Sequence, residues 1–157
     1  MNKKLLFVCI LLVAIIYVRY NSTYQKNYEI VQVYPSQLTP SILLEKNPVI
    51  VMGRPDMPVD EVISAFRYMY VSRTNQTETT GGLVNNARYC LITGTTDIGI
   101  INPKYGASEN YQSVDVKLKP GHVLILPMYW RFDAGQDTVK YTQLHDVFSY
   151  VYKSISR

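Results

Sequence analysis

The stretch Ser113–Gly135, SVDVKLKPGHVLILPMYWRFDAG, constrains the fold more than any other part of the chain. Val114, Val116 and Leu118 alternate with Asp115, Lys117 and Lys119, the period-two pattern of a strand with one buried face. Pro120-Gly121 then marks a turn, because proline presets φ and glycine accepts a positive φ. Val123–Leu126 is wholly apolar, which suits a strand covered on both faces. Pro127 closes it, since proline cannot donate to a ladder, and the cluster Tyr129-Trp130-Arg131-Phe132 follows. Val123, Ile125, Leu126 and Trp130 are therefore expected to lie buried between two sheets, with Cys90 and Ile92 nearby.

The remaining segments fit around such a core. Glu29–Tyr34 reads as a strand, and Pro40 after Thr39 reads as the first position of a short helix. Asn47-Pro48 breaks that helix, and Val49–Met52 makes a buried strand before Gly53. Pro58 opens a second helix, with Asp60 and Glu61 near its positive end. Val59, Val62, Ile63 and Phe66 share one face of it, and the helix is expected to stop near Phe66. Arg67–Ser72 is then expected as a strand, and the polar stretch Thr74–Asn86 as a long loop or irregular hairpin. Ala87–Lys104 reads as a hairpin folded around Gly94-Thr95-Thr96-Asp97. Thr138–Thr142 is expected as the last strand. In Gln143–Ile155, Leu144, Val147, Phe148, Val151 and Tyr152 fit a helix while Val147, Ser149 and Val151 also alternate, so a final helix or strand-helix is expected.

Three of these stretches resemble the cupin-like branch that includes the Jumonji-C hydroxylases. Leu43–Gly53 is similar to that family's helix-to-barrel lead-in, and Ala87–Lys104 to its central hairpin. Pro120 to Arg131 is similar to its closing "PGD-hydrophobic-IP-x-x-W-x-H" segment. The resemblance covers roughly residues 36–133 and implies a mainly β fold: a double-stranded β-helix, or jelly roll, with a few short helices. It also implies where an iron site would stand. A "H-x-D/E" pair would fall within Thr79–Arg88, and the closing histidine at the position held here by Arg131. Thr79–Arg88 contains neither histidine nor acid, so the resemblance carries the fold without the chemistry.

No other constellation replaces it. An iron/2-oxoglutarate oxygenase needs two histidines and a carboxylate on one face. The two histidines of the chain are His122, in the Pro-Gly turn, and His145, beside Asp146; both read as surface residues. Arg131 reads as a structural arginine paired with Asp133 or Asp137. Cys90 lies in an apolar strand and reads as a buried, inert thiol. Ser64 and Ser149 have no adjacent histidine for a triad, and the glycines do not form a phosphate loop. No catalytic, cofactor-binding or metal-binding residue is assigned.

The N-terminus has a different character. Lys3-Lys4 precede an apolar run from Leu5 to Val18, which Arg19 closes. Its 14 residues make roughly 21 Å of helix, short of a hydrocarbon core of roughly 30 Å. No small-residue cleavage site follows, so residues 1–20 are read as an uncleaved transmembrane signal-anchor rather than a cleaved signal or a core helix. Contact with lipid is assigned to residues 4–20, residues 21–28 to a stalk, and residues 29–157 to the cupin-like domain. The basic end favours a cytoplasmic N-terminus and an exterior or lumenal domain.

The net charge of +4 comes entirely from the first 26 residues. Residues 27–157 carry 12 basic and 12 acidic side chains, so the domain has no electrostatic footprint for nucleic acid. Fourteen tyrosines favour a surface that meets a protein partner. The expected role is a membrane-anchored, non-catalytic structural or interaction protein, which looks like the small anchored cupin-like proteins of large DNA viruses. The alternatives are a divergent oxygenase with a relocated metal site, and a small-ligand binding module.

Overall fold

The computed structural model of the chain describes residues 3–22, 28–79, 82–105, 113–135 and 137–155. Among the described residues four α-helices, α1 (Lys3–Ser22), α2 (Pro40–Leu44), α3 (Val59–Ser64) and α4 (Val147–Ile155), accompany ten strands. The strands are β1 (Val31–Val33), β2 (Val49–Met52), β3 (Ser72–Thr79), β4 (Leu83–Val84) and β5 (Tyr89–Thr93). They continue as β6 (Asp97–Ile101), β7 (Val114–Lys117), β8 (His122–Pro127), β9 (Arg131–Asp133) and β10 (Thr138–His145). Among the described residues strands take up 35% and helices 31%. The fold is thus mixed and sheet-rich rather than mainly β, with much of the helix supplied by the 20 residues of α1.

Two sheets form, in the orders β1-β2-β8-β5-β10-β3 and β4-β9-β6-β7. The six-stranded sheet is covered on both faces, and its sequence says so residue by residue. Val49 and Val51 on β2, Tyr89 and Leu91 on β5, and Val123 and Ile125 on β8 pack against Leu43, Val62, Ile63 and Phe66 of the α2 and α3 region. Their neighbours Ile50, Cys90, Ile92, Leu124 and Leu126 pack the opposite way, against Ile98, Ile100, Val116, Trp130 and Phe132 of the four-stranded side. A strand alternates its side chains between two faces, so a strand buried on both needs the continuous apolar run seen in VIVM, YCLI and VLIL. Val123 and Ile125 accordingly lie under the helices, while Leu126 and Trp130 lie between the sheets.

The expected hairpin at residues 87–104 is not a hairpin. β5 pairs with β8 and β10, whereas β6 pairs with β7 and β9. The three residues between β5 and β6 carry the chain from one sheet to the other, and the Pro120-Gly121 turn does the same between β7 and β8. Both corners need unusual backbone: Gly94 has φ 140° and Gly121 φ 80°. A Cβ on Gly121 would also collide with the Arg54 carbonyl group. Only glycine combines that conformation with that approach.

Another difference concerns the middle of the chain. Residues 67–71 are turn and irregular backbone, and the strand begins at Ser72. It runs through SRTNQTET, much of which reads as loop by polarity. β3 is one of the two edge strands of the six-stranded sheet and pairs along its whole length with β10, from Ser72 opposite His145 to Thr79 opposite Thr138. An edge strand can stay polar because one side of its ladder and much of its surface meet water.

At the N-terminus, α1 covers the apolar run. Its side chains are largely exposed, with Leu5 at 59%, Phe7 at 67% and Ile16 at 66%. No helix among the described residues is long and apolar enough to cross a membrane. The run is only 14 residues long and is closed at both ends by charge. Most of the expected stalk, residues 23–27, lies outside the described residues, as do 80–81 of the segment searched for metal ligands.

Candidate functional site

The space between the two sheets is where the resemblance places an iron site, and it is occupied by packed hydrocarbon. β4 and β9, the strands corresponding to the expected ligand segments, pair with Leu83 opposite Phe132 and Val84 opposite Arg131. Phe132 is 3% exposed and belongs to the inter-sheet core, as does Trp130. Leu83 packs against the same cluster. Arg131 lies between these two aromatics in sequence, so strand alternation sends its side chain to the outer face. The inward position near the end of the closing motif is thus held by Phe132, and the expectation that Arg131 takes it is corrected.

The aromatic layer is tightly ordered. Phe132 meets Tyr141 edge-on at 5.6 Å between ring centres, and Tyr28 meets Trp130 edge-on at 4.8 Å. Such pairs add to area burial because the positive ring edge meets the negative face. Tyr141 also donates its hydroxyl hydrogen bond to Gln76 Oε1 on the edge strand β3. Cys90 is fully buried in the same layer, and burial raises its thiol pKa far above the ordinary value. It is an inert thiol, because the thiolate is the reactive form.

Asn85 is a structural key that sequence reading passes over. It is fully buried between β4 and β5 and has every polar group engaged. Its Nδ2 donates to the carbonyls of Leu126 and Pro127 at 3.0 Å each, and its Oδ1 accepts from the Ala87 amide at 3.0 Å. Its backbone amide donates to the Trp130 carbonyl at 2.8 Å, and its own carbonyl accepts from the Tyr129 amide at 2.6 Å. This one side chain closes the corner where β8 leaves one sheet and β9 enters the other. The Asn85 backbone carbonyl holds the amide of Tyr129, which has a positive φ of 67°. In the sequence Asn85 stands in the stretch TTGGLVNNAR beside Asn86, with nothing to say which of the two points inward.

The two histidines are not brought together. His122 stands opposite Met52 at the start of β8, and His145 stands opposite Ser72 at the end of β10. β5 lies between those two strands, and the histidines project from its opposite ends. They are roughly 20 Å apart along the strands and about 10 Å across them. His122 is half-buried rather than a fully exposed turn residue. His145 is 2% exposed, which corrects its reading as a surface residue. Neither of its ring nitrogens has a hydrogen-bond partner among the described residues. Burial, with Lys153 close by, lowers its pKa below the usual value, against a weaker opposite pull from Asp146.

Arg131 does not pair with Asp133 or Asp137 among the described residues. The Asp133 carboxylate accepts from the Gly135 amide at 2.8 Å, and Asp137 from the Thr96 hydroxyl at 2.6 Å. These two acids, with Asp97 and Asp115, line a groove of about 480 Å³ on the outer face of the four-stranded sheet. Gly99 forms part of its floor. Among the described residues no group of three or more His, Cys, Asp or Glu is set to hold a metal ion.

A side-chain junction joins α1 to α4. Tyr17 donates its hydroxyl hydrogen bond to Asp146 Oδ2 at 2.5 Å, and its ring stacks on Phe148 with centres 4.4 Å apart. Asp146 meanwhile caps α4, accepting from the Ser149 amide at 2.9 Å and the Ser149 hydroxyl at 2.8 Å. A side-chain oxygen satisfying a free amide of the first turn is what starts a helix at that residue. The tyrosines expected to form one surface are divided. Tyr89 and Tyr141 are core, whereas Tyr34, Tyr68 and Tyr150 are 58%, 94% and 48% exposed.

No protein-family model matches the chain, and neither the curated proteins nor the solved structures give a match.

Proposed function

We propose that this chain is a membrane-anchored, non-catalytic β domain acting as a structural and interaction component of a membrane, such as a viral envelope or virion membrane. The observation that carries the reading is how the chain divides its apolar surface. From residue 28 onward the large apolar side chains are mostly drawn into two cores, whereas α1 leaves Leu5 to Val18 largely exposed. A contiguous apolar surface of that kind needs a cover, and lipid is the cover that its length, flanking Lys3, Lys4 and Arg19, and interfacial Tyr17 suit. Its run is shorter than a hydrocarbon core, so the lysines and the arginine extend along the helix to reach the headgroups while the bilayer thins locally.

The double-stranded β-helix reading is supported by strand order. From β3 onward the chain winds between β8-β5-β10-β3 on one side and β4-β9-β6-β7 on the other, with β1 and β2 added at one edge. This alternation suits a jelly roll of eight strands. Aromatic filling of the layer between the sheets supports a role in assembly over one in turnover or small-ligand binding. The exposed tyrosines Tyr34 and Tyr68 are the natural contacts for a protein partner.

Alkaline carbonate extraction of membranes from cells expressing the full chain, followed by N-terminal sequencing, tests the anchor. The chain is expected in the membrane pellet with its N-terminus intact. A soluble chain beginning near Asn21 would end the reading.

A further inference from the structure

We propose that α4 lies on the membrane surface as an interfacial helix and fixes the tilt of the domain above the bilayer; the inference rests on α1 being a membrane anchor. α4 carries Val147, Tyr150 and Val151 on one face, at the spacing that places residues side by side on a helix. These three are 57%, 48% and 49% exposed. The opposite side is committed to the domain: Ser149 is buried at 1% and bonded to Asp146, and Lys153 Nζ donates to Thr74 Oγ1 of β3 at 3.0 Å. The outward face is apolar apart from Ser154, whose hydroxyl donates to the Tyr150 carbonyl of the same helix, and this is the reverse of a soluble surface helix.

Continuity with α1 identifies the cover. Tyr17, near the end of the apolar run, stacks on Phe148 and bonds Asp146, so α4 begins at the depth where the run ends. Exposed Ile15 and Val18, on the α1 turns that hold Tyr17, lead from the run to that junction. Positive charge stands at the same level. Arg19 follows the run, and Arg88 sits where its charge acts on Tyr17, Asp146 and the neighbouring Lys46. Anionic headgroups complement these cations. A nine-residue helix binds a membrane weakly by itself, but here the anchor makes its insertion intramolecular and holds it at high effective concentration.

The test uses the full chain carrying Cys9→Ser, with Val151→Cys labelled by an environment-sensitive nitrobenzoxadiazole dye; buried Cys90 does not react. The protein is reconstituted into phosphatidylcholine–phosphatidylserine vesicles containing lipids spin-labelled near the headgroup. Val151 and a second site, Val147→Cys, are expected to give blue-shifted emission and quenching several-fold stronger than a label at Lys117→Cys on the outer sheet. Flotation with the vesicles but water-like, unquenched emission at both α4 sites would overturn the inference and leave the anchor standing. A chain that fails to float would overturn both. Blue-shifted emission without lipid quenching, with energy transfer between labelled chains, would make the cover a second copy and overturn the lipid assignment.

Discussion

The two sheets meet at one core yet obey different rules. The six-stranded sheet is a middle layer, with helices α2 and α3 on one face and the second sheet on the other. The four-stranded sheet is an outer layer that buries Ile98, Ile100, Val116 and Phe132 and turns Asp97, Asp115 and Asp133 to the groove outside. The first carries almost no polar residue along β2, β5 and β8; the second sets acids outward between buried apolar residues. Tolerance to change should therefore differ sharply between strands that lie a few ångströms apart.

The largest effect is expected in the middle layer. Leu124→Ala and Ile125→Ala, which open cavities on opposite faces of β8, should each destabilise the protein by about 2–5 kcal/mol in denaturant unfolding. Val114→Ala on β7, 37% exposed, should stay within about 0.5 kcal/mol. Losses of similar size at the two kinds of position would erase the distinction between the sheets.

Next is the hinge between them. Asn85→Ala leaves the Leu126 and Pro127 carbonyls and the Ala87 amide without their bonds in a buried corner. Each such group costs about 1–3 kcal/mol, and some are re-satisfied by water, so a net loss of about 2–4 kcal/mol is expected. Asn85→Asp keeps the acceptor but loses the donor and buries a charge, so it should be no better tolerated. A neutral result for Asn85→Ala would mean that the corner is held by the backbone alone.

Acid should weaken the six-stranded sheet through His145. Its folded pKa lies below the usual 6.5, so the folded state favours the neutral ring while the unfolded chain takes up the proton more readily. Its contribution is fully present above about pH 6.5 and is lost as pH falls below that value toward the folded pKa. Unfolding free energy measured across this range should drop toward acid, and His145→Gln should flatten that part of the curve. A slope unchanged by the substitution would assign the pH dependence elsewhere.

The smallest effect belongs to the groove. Asp115→Asn should alter stability by less than about 0.5 kcal/mol, since its carboxylate meets water and the neighbouring acids repel it. A loss above about 2 kcal/mol would place Asp115 in a structural network.

The same contrast decides what was legible in the sequence. VIVM, YCLI and VLIL are apolar without interruption, and each reads as a strand because burial on both faces leaves no position for a polar residue. α2 is legible from Pro40, whereas α4 is only half legible, because Val147, Phe148 and Val151 fit a helix while Val147, Ser149 and Val151 also alternate as in a strand. β3 is not, because an edge strand paired only to β10 is polar and its periodicity is faint. Pairing is hidden as well: Gly94 and Pro120-Gly121 announce turns, but a turn between strands of one sheet and a corner between two sheets use the same residues. The inward residue of β9 depends on parity counted from Trp130, and a slip of one position exchanges Phe132 for Arg131. His145 and Asn85 are polar residues whose burial follows from neighbours far away in the chain.

The central claim is that the layer between the sheets is a packed core and not a metal centre. Iron content and 2-oxoglutarate turnover of the purified full chain, supplied with ferrous iron and 2-oxoglutarate, test it most directly. No stoichiometric iron and no turnover above the metal-free control are expected. One iron per chain, with turnover abolished by His122→Ala or His145→Ala, would contradict the claim.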